Sequence, residues 1–252
     1  MQKIWLYGLH ACKHALHNKE RKPTKVLVTN ATYESTKEWL IPLTANIPLS
    51  IASVQTINNI LTNKTNNKNP NFSHQGIALL TTQIKMLDLN SYIYAIEKSN
   101  NEEILLCLDQ IQDTTNLGSI FRTATAFNVN TILLPKKNSA PITPAVTKTA
   151  CGALEKIKII YVDNLSRSLE NLKKIGFWIY GLDARAQESI KNYTNHHKKI
   201  VLIIGSEDKG IRPLVKRTCD HLLKIEINST NIESLNASVA TAIALHQIYQ
   251  AP

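Results

Sequence analysis

Runs of apolar residues alternate with amphipathic stretches over most of the chain, most regularly after residue 103. Six of these runs predict strands: ILLCLD (104–109), TILLP (131–135), IKIIYV (157–162), FWIYGLD (177–183), IVLIIG (200–205) and LLKIEI (222–227). Because the runs are almost continuously apolar and mostly separated by helical stretches, they predict a parallel sheet covered by helices on both faces. Such sheets bind ligands beyond the carboxyl ends of their strands, so the loops that follow the runs are the expected places for chemistry.

The N-terminal part of the chain predicts a smaller α/β unit. Strand-like IWLYG (4–8) and KVLVT (25–29) flank a helical stretch, and HQGIALLTT (74–82) predicts a further strand. Before that strand, NKTNNKNPN (63–71) contains almost nothing apolar and predicts an exposed flexible loop.

The length of 252 residues and the hydrophobic content of 43% are enough for one large domain or two modest ones. SYIYAIEKSNNEE (91–103) predicts a connecting helix and linker between the two patterns. The chain is therefore predicted to consist of a first domain of residues 1–82, a linker of residues 83–103 and a second domain of residues 104–252.

The charge balance favours a polyanionic partner. Twenty-nine Lys and Arg outnumber nineteen Asp and Glu, which gives a formal net charge of +10 and a sequence pI near 9.4. Nucleic acid is the leading candidate, because basic side chains neutralise phosphates. A charge of this size also serves solubility alone, so composition leaves both interpretations open.

Two classes of protein are disfavoured. Cys12, Cys107, Cys151 and Cys219 are scattered and form no CxxC pair, which argues against a zinc site or a disulfide framework and predicts reduced thiols. The N-terminal MQKIWLYGLH lacks the pattern of a signal peptide, and no segment approaches the ~20 apolar residues that span a bilayer. These features predict a cytoplasmic protein without a membrane partner.

The first loop with unusual polar residues is DQIQDTTNLGSIFRTATAF (109–127). It places Asp113 and Asn116 before a helix whose apolar stripe directs Arg122 away from the core. On these residues alone, Asn116 is either a helix cap or a site residue, and Arg122 is either a surface charge or a ligand-binding cation.

The second loop, IIGSEDKGIRP (203–213), ends a buried strand with Gly205, Glu207 and Gly210. Glycines at such a point let the backbone approach a ligand closely. The loop is neither a Walker A sequence nor a GxGxxG fingerprint. A plain turn from strand to helix explains it as well as a binding loop does.

The third loop precedes the last helix. NIESLNASVATAIALHQIY (231–249) puts Ser234 and Asn236 ahead of an Ala-rich stretch, where both residue types commonly act as caps. The small residues that follow permit close approach of another backbone, either within a tight helix–sheet contact or in a second subunit.

Taken in order, the three loops resemble the three signature motifs of the SpoU (TrmH-type) RNA 2'-O-ribose methyltransferases. The matching segments are NLGSIFRTA (116–124), LIIGSEDKG (202–210) and SLNASVATAIAL (234–245). SAPITPAVTKTACGALEKI (139–157) resembles the family's connecting segment. YGLHACKHAL and SHQGIAL resemble the substrate-binding domain of its ribosomal-RNA-specific members. The resemblance covers nearly the whole chain apart from the Asn-rich run.

The resemblance implies a fold, a cofactor and partners that composition does not show. Residues 104–252 are expected to form a SPOUT-type α/β domain whose C-terminal segment threads into a deep trefoil knot around S-adenosylmethionine. Residues 1–82 are expected to form a small α/β domain that binds the RNA substrate. Family membership further implies a homodimer with active sites at the subunit interface, and no metal.

The resemblance also assigns site residues. Arg122 is implied as the central catalytic residue with Asn116, Glu207, Ser234 and Asn236 around it, and Gly205, Ile225 and Leu235 are implied to line the S-adenosylmethionine pocket. Because a guanidinium is effectively always protonated, we expect Arg122 to bind the target phosphate and stabilise the developing alkoxide rather than act as a base. Ser234 and Asn236 are expected to order the knot loop and position the target ribose.

One segment departs from the family pattern. Relatives commonly read Ile-Pro-Met before a small glycine-containing loop, whereas this chain reads IEINSTNIESLN (225–236), with Glu226 and Ile227 at the Pro-Met positions. A carboxylate there either disfavours the cofactor or faces solvent. The expected function is 2'-O-methylation of a guanosine in large-subunit (23S) ribosomal RNA. The alternatives are methylation of transfer RNA, or RNA binding without catalysis through a weakened cofactor site.

Overall fold

The computed structural model describes residues 2–65, 73–99, 101–194, 196–228 and 234–251. The chain divides into two compact units. The N-terminal unit comprises Met1–Lys85 together with Ile142–Glu155, and the C-terminal unit comprises Met86–Pro141 and Lys156–Pro252. The chain therefore passes from one unit to the other three times.

The N-terminal unit is built on a four-stranded sheet. Its strands are β1 (Lys3–Tyr7), β2 (Lys25–Val28), β3 (Leu49–Ile51) and β4 (Ile77–Thr82), in the order β1-β4-β2-β3. β4 pairs antiparallel with β1 and β2, while β3 pairs parallel with β2. The helices are α1 (Leu9–His17), α2 (Asn30–Leu43) and α3 (Val54–Thr65). Alternate residues of the strands, such as Leu6 and Tyr7, enter separate cores on the two faces of the sheet.

The strands predicted from IWLYG, KVLVT and HQGIALLTT are confirmed as β1, β2 and β4. The loop predicted over residues 63–71 is wrong for its first three residues, because α3 continues to Thr65. Ile57 and Leu61, one turn apart, are fully buried and fix this helix, and the polar turn after them prolongs it. Residues 66–71 of that prediction lie outside the described residues.

The C-terminal unit is built on a seven-stranded sheet. Its strands are β5 (Glu103–Asp109), β6 (Thr131–Pro135), β7 (Lys158–Val162), β8 (Trp178–Leu182), β9 (Glu188–Ser189), β10 (Lys199–Gly205) and β11 (His221–Lys224). They follow the order β7-β6-β5-β10-β8-β11-β9, and every pairing is parallel. The helices of this unit are α4 (Leu89–Glu97), α5 (Thr114–Ala126), α7 (Leu165–Lys174), α8 (Pro213–Arg217) and α9 (Ala237–Gln250).

All six strands predicted after residue 103 are present, and the parallel sheet is confirmed. The last prediction, LLKIEI (222–227), is too long, because β11 ends at Lys224. The neighbours of β11 explain its length: β8 pairs with it only as far as Leu223, and the two-residue β9 only as far as Lys224. Strand order does not test the expected trefoil knot, which stays a prediction.

Buried residues spaced along the helices attach them to this sheet. In α7, Leu165, Leu169 and Leu172 are buried in one core with strand residues. Tyr92 of α4 is buried in the same core, and its hydroxyl donates a hydrogen bond to Glu103 Oε1 at 3.0 Å. Helix α4 therefore belongs to the body of the C-terminal unit. The division of functions among residues 1–82, 83–103 and 104–252 stays a prediction.

The inserted segment Ile142–Glu155 completes the N-terminal unit with α6 (Pro144–Thr149) and a 3-10 helix (Ala153–Glu155). A buried ion pair fixes it: Arg21 Nη2 lies 2.7 Å from Glu155 Oε1, with side chains only 2% and 4% exposed. Arg21 Nε and Asn18 Nδ2 donate to Glu155 Oε2 at 2.9 and 2.7 Å. Arg21 Nη1 donates to the Thr82 carbonyl at 2.5 Å. Because both charged groups have several hydrogen-bond partners, the pair tolerates its burial.

The cysteines and the apolarity of the helices both bear on the predicted class of protein. None of the four cysteines forms a disulfide, and burial raises the pKa of the Cys12 and Cys107 thiols, which keeps them protonated and inert at neutral pH. Within the described ranges, no helix combines the length and apolarity needed to cross a bilayer.

Candidate active site

Two of the three polar loops leave the sheet side by side. β5 and β10 are adjacent parallel strands, and their last residues, Asp109 and Gly205, are paired with each other. The loop after β5 leads into α5, and the loop after β10 carries Glu207. Segments that are distant in sequence are therefore brought to the same carboxyl edge of the sheet, where ligands bind in such folds.

Asn116 is available as a site residue because another residue caps its helix. Asp113 is the N-cap of α5, and its Oδ1 accepts a hydrogen bond from the Asn116 backbone N–H at 2.7 Å. The side chain of Asn116 instead donates from Nδ2 to Glu207 Oε1 at 2.6 Å. The capping role therefore belongs to Asp113, and the amide of Asn116 faces the second loop.

Asn236 is a cap and a member of the site at once. Its Oδ1 accepts hydrogen bonds from the N–H groups of Ser238 and Val239, at 3.0 and 3.4 Å, and so caps α9. Its Nδ2 donates to Asn116 Oδ1 at 3.0 Å and to Glu207 Oε1 at 2.7 Å. With the Asn116–Glu207 bond, these contacts close a ring of Asn116, Glu207 and Asn236, here named the Asn-Glu-Asn ring.

Glu207 holds the ring at the N-terminus of α9. The same oxygen, Oε1, accepts a further hydrogen bond from the backbone N–H of Ala237 at 3.2 Å. A carboxylate at this position is stabilised by the partial positive charge of the helix N-terminus. One side chain therefore joins the starts of α5 and α9 to the loop after β10, and it fixes which way both amides point.

An ion pair between a buried carboxylate and a partly exposed arginine supports the loop that carries Glu207. Asp109 is fully buried, and its two oxygens accept from Arg212 Nε at 2.7 Å and from the Arg212 backbone N–H at 2.9 Å. Arg212 Nη2 also lies 2.7 Å from Asp109 Oδ1. This pair was not predicted from the sequence. Its only signal was a carboxylate at the end of an apolar strand, which has to find a partner when buried.

Gly205 lets the same loop fold back on itself. The loop closes through backbone hydrogen bonds between Ser206 and Gly210, in both directions, at 2.8 and 3.2 Å. A Cβ on Gly205 would lie 2.2 Å from the carbonyl carbon of Gly210, which is backbone and has no rotamer to change. Glycine is therefore required here for close approach within the loop itself.

The other two candidate catalytic residues, Arg122 and Ser234, are not members of the ring. Arg122 lies exposed on α5, six residues after Asn116, which is roughly 9 Å along the helix axis. Its predicted orientation away from the core is confirmed, because Arg122 is exposed whereas Phe121 and Ala124 of the same helix are buried. Ser234 lies exposed two residues before Asn236.

Comparison with known proteins matches both the motifs and the fold. The model of the SpoU rRNA methylase family matches residues 103–246, more than half of the chain. The chain belongs to the SpoU rRNA methylase family. The 23S rRNA (guanosine-2'-O-)-methyltransferase RlmB of Vibrio parahaemolyticus is 33% identical over 98% of this chain and 96% of its own length. RlmB of Coxiella burnetii is 32% identical over 96% of this chain and 94% of its own length.

The crystal structure of the SpoU methyltransferase AviRb from Streptomyces viridochromogenes, in complex with AdoMet, shares the fold. It matches with a TM-score of 0.75 at 16% identity and covers 98% of this chain and 89% of that one.

The SpoU resemblance assigned three residues to the cofactor, and all three are half-buried. Gly205 ends β10, Ile225 follows β11, and Leu235 precedes the cap of α9. Glu226, the departure from the SpoU pattern, is exposed and accepts a hydrogen bond from Lys191 Nζ at 2.5 Å, which holds the pKa of its carboxyl below the ordinary value. Residues 229–233, in the middle of the departing segment, lie outside the described residues.

Proposed function

We propose that this SpoU protein methylates the 2'-hydroxyl of a guanosine in 23S ribosomal RNA, in the cytoplasm, with S-adenosylmethionine as methyl donor. The observation that carries the proposal is the Asn-Glu-Asn ring, because it joins one residue from each of three separate family motifs. The choice of substrate follows the RlmB relatives, whose names specify this reaction and whose sequences align with nearly the whole chain.

The proposed chemistry explains why a cation and oriented amides are needed. A ribose 2'-hydroxyl is a poor nucleophile until its developing negative charge is stabilised and its oxygen is aligned. When bound, S-adenosylmethionine supplies an electrophilic methyl group on a sulfonium. In this proposal Arg122 binds the phosphate of the target nucleotide and stabilises the alkoxide, while Asn116, Asn236 and Ser234 position the ribose.

The residues present fit the cofactor. The folded-back loop after Gly205 offers backbone donors and acceptors, and the half-buried side chains of Ile225 and Leu235 offer apolar surface for an adenine ring. The exposed ion pair of Glu226 with Lys191 supports the interpretation that the Glu226 carboxylate faces solvent and does not disfavour the cofactor. AviRb has been solved with AdoMet on the same fold. The proposal includes the trefoil knot that the family resemblance implies around this pocket.

The N-terminal unit is proposed to bind the RNA. It contains eleven Lys and Arg against four Asp and Glu, so it carries seven of the ten net positive charges in about two fifths of the chain. Contacts between such a unit and phosphates are independent of base sequence and weaken steeply with salt. The unit therefore supplies affinity for RNA, and the C-terminal unit supplies the reaction.

A homodimer is proposed because α9 is apolar on two sides. Thr241, Leu245 and Ile248 are buried on one side of the helix, and α9 packs against α5. Val239 and Ile243, one turn apart, remain 46% and 38% exposed on another side. A second copy that covers these two residues would lie next to the end of α9 that carries Asn236.

Ile243→Glu is expected to shift the protein from dimer to monomer and to lower methyl transfer with it, because a carboxylate would be buried without a partner in the dimer. Sedimentation velocity at micromolar concentration measures the change. Leu214→Glu is the matched control, since Leu214 is also an exposed apolar residue (67%) but lies on α8. A dimer that survives Ile243→Glu contradicts the proposed interface.

Arg122→Lys is expected to lower kcat about 10-fold and to leave the Kd for S-adenosylmethionine unchanged. Lysine keeps the positive charge but loses the planar fork of donors that matches phosphate geometry. Single-turnover methylation and calorimetric titration of the cofactor measure the two quantities. Near-normal turnover by the lysine variant would remove the argument that the guanidinium geometry matters.

The proposed function is tested by mapping ribose methylation, by mass spectrometry, in ribosomal and transfer RNA from cells with and without this protein. The expected result is one guanosine methyl in 23S rRNA that disappears on deletion and returns with the wild-type gene. Loss of a methyl from transfer RNA instead would overturn the choice of substrate. An unchanged pattern in both RNA pools, with no calorimetric binding of S-adenosylmethionine at millimolar concentration, would establish the non-catalytic alternative.

A further inference from the structure

A large aromatic side chain is exposed at the end of the C-terminal sheet opposite the candidate active site. Trp178 is the first residue of β8 and remains 40% exposed. The ring of His197 lies on it in a parallel stack, with centroids 3.9 Å apart and planes at 8°. A stack of two flat rings at a surface offers the kind of platform on which nucleobases pack.

Deeper rings hold this stack in place. The ring of His221 lies 6.0 Å from Trp178 and 5.2 Å from Tyr180, at angles of 28° and 14°. Tyr180 is only 5% exposed and also contacts Tyr193 edge-on, so the set is anchored in the core. Binding on a platform that is already ordered costs little conformational entropy.

The depression beside the stack is lined by basic residues. Carboxylates lie close by, because Glu188 Oε2 is 3.5 Å from His221 Nδ1 and Glu102 and Glu103 line the neighbouring cavity that His197 and Lys198 also line. An open depression of about 500 Å³ is lined by Ile175, Gly176, Trp178 and residues 196–199. These last four residues are His196, His197, Lys198 and Lys199, and none of the described lining residues is acidic. Burial first, and then the neighbouring His196 and His221, lower the pKa of His197 against the opposing effect of Asp220, and the net shift favours the uncharged ring. A heterocyclic base with an attached phosphate complements both the rings and the exposed Lys198.

The depression is separate from the Asn-Glu-Asn ring but within reach of the same RNA. Lys199 begins β10 and Gly205 ends it. The strand therefore separates the two places by roughly 20 Å through the sheet, so an RNA that follows the surface needs more than about six stacked nucleotides to reach from one to the other. An RNA that extends beyond its target nucleotide can contact both.

We propose that Trp178, His197 and Lys198 form a second RNA-binding site, the tryptophan patch, which stacks one unpaired base of the substrate and pairs with its phosphate. The patch rests on the proposed function, because its occupant is the RNA that is methylated. It adds affinity for a single-stranded segment away from the reacting ribose.

Fluorescence of a protein in which Trp178 is the sole tryptophan (Trp5→Phe, Trp39→Phe) tests the patch directly. The probe is a single-stranded RNA of about 12 nucleotides of mixed sequence, compared with its duplex. We expect saturable quenching by the single strand and weaker quenching by the duplex, whose bases are already stacked. Absence of quenching by the single strand would overturn the proposal. A shift in emission that follows protein concentration without RNA would also overturn it and assign the patch to contact between two copies.

Filter binding and methylation kinetics test the energetic contribution. Trp178→Leu and His197→Ala are each expected to raise the Kd for single-stranded RNA about 10-fold, as loss of a base stack does elsewhere. The KM for RNA should rise with them, while kcat at saturating RNA and the Kd for S-adenosylmethionine stay unchanged. Tyr94→Leu is the matched control, because Tyr94 is an exposed aromatic residue (63%) beside Lys98 in the same unit. Trp178→Leu that behaves like Tyr94→Leu contradicts the patch.

The outcomes separate the patch from the proposed function. Methylation by the wild type together with normal RNA affinity of Trp178→Leu would overturn the patch alone. Quenching of Trp178 by RNA in a wild-type protein that transfers no methyl group would support the patch and overturn the proposed function.

Discussion

Glu207→Ala is expected to lower the rate of methyl transfer at least 100-fold while changing the free energy of unfolding by no more than about 1 kcal/mol. Glu207 Oε1 accepts hydrogen bonds from Asn116, Asn236 and the backbone of Ala237. Without it Asn116 loses the acceptor of its amide N–H, and Asn236 keeps only its capping bonds and its bond to Asn116, so the two amides are held less firmly. The effect on stability is small because Glu207 is exposed and water can replace its bonds.

Single-turnover methylation of 23S rRNA measures the rate, and urea unfolding measures stability. Glu207→Gln keeps an acceptor oxygen but not the charge at the helix N-terminus, so its rate should lie between those of the wild type and Glu207→Ala. Asp208→Ala is the matched control, because it removes an exposed carboxylate from the next position of the same loop. Similar rates for Glu207→Ala and Asp208→Ala would show that the ring does not position the reacting groups.

Arg21→Met is expected to destabilise the N-terminal unit by about 3 to 5 kcal/mol, because it leaves the buried Glu155 carboxylate without its cation. The Thr82 carbonyl loses its donor in the same variant. The double variant Arg21→Met, Glu155→Leu should recover much of the loss, since no unpaired charge then remains.

Urea unfolding followed by tryptophan fluorescence in a Trp178→Phe background measures this effect, because Trp5 and Trp39 then report on the N-terminal unit. Lys37→Met is the matched control. Its partner Glu34 lies at 2.8 Å, but both side chains are more than half exposed, so its loss should cost no more than about 1 kcal/mol. Equal effects of Arg21→Met and Lys37→Met would show that the buried pair does not hold the inserted segment.

The elements of the C-terminal sheet could be predicted because runs such as IVLIIG can only be buried. Strand ends could not, since β11 stops where the short β9 and β8 stop pairing with it. The parallel sheet followed from local pattern, but its order did not. β10 lies between β5 and β8, and the local sequence pattern of these strands does not indicate which strands pair with each other.

The residues of the candidate site could also be predicted only in part. Motif resemblance assigned Asn116, Glu207 and Asn236 together, whereas each residue alone was equally well explained as a cap or a turn. For Asn236 both explanations hold, because its oxygen caps α9 while its nitrogen joins the ring. The pair of Asp109 and Arg212 was missed because it spans 103 positions and exists only through the adjacency of β5 and β10.

Because the chain passes between its units three times, the N-terminal unit is completed late during synthesis on the ribosome. Residues 142–155, including Glu155 and the α6 helix that packs against the edge strand β1, emerge from the ribosome after β5 and β6 of the other unit. Until then the first 85 residues lack the Glu155 carboxylate that pairs with Arg21 and the α6 helix that packs against β1. The N-terminal unit cannot finish folding first, although it is made first. A gene fragment that ends at Lys85 would therefore encode an incomplete N-terminal unit.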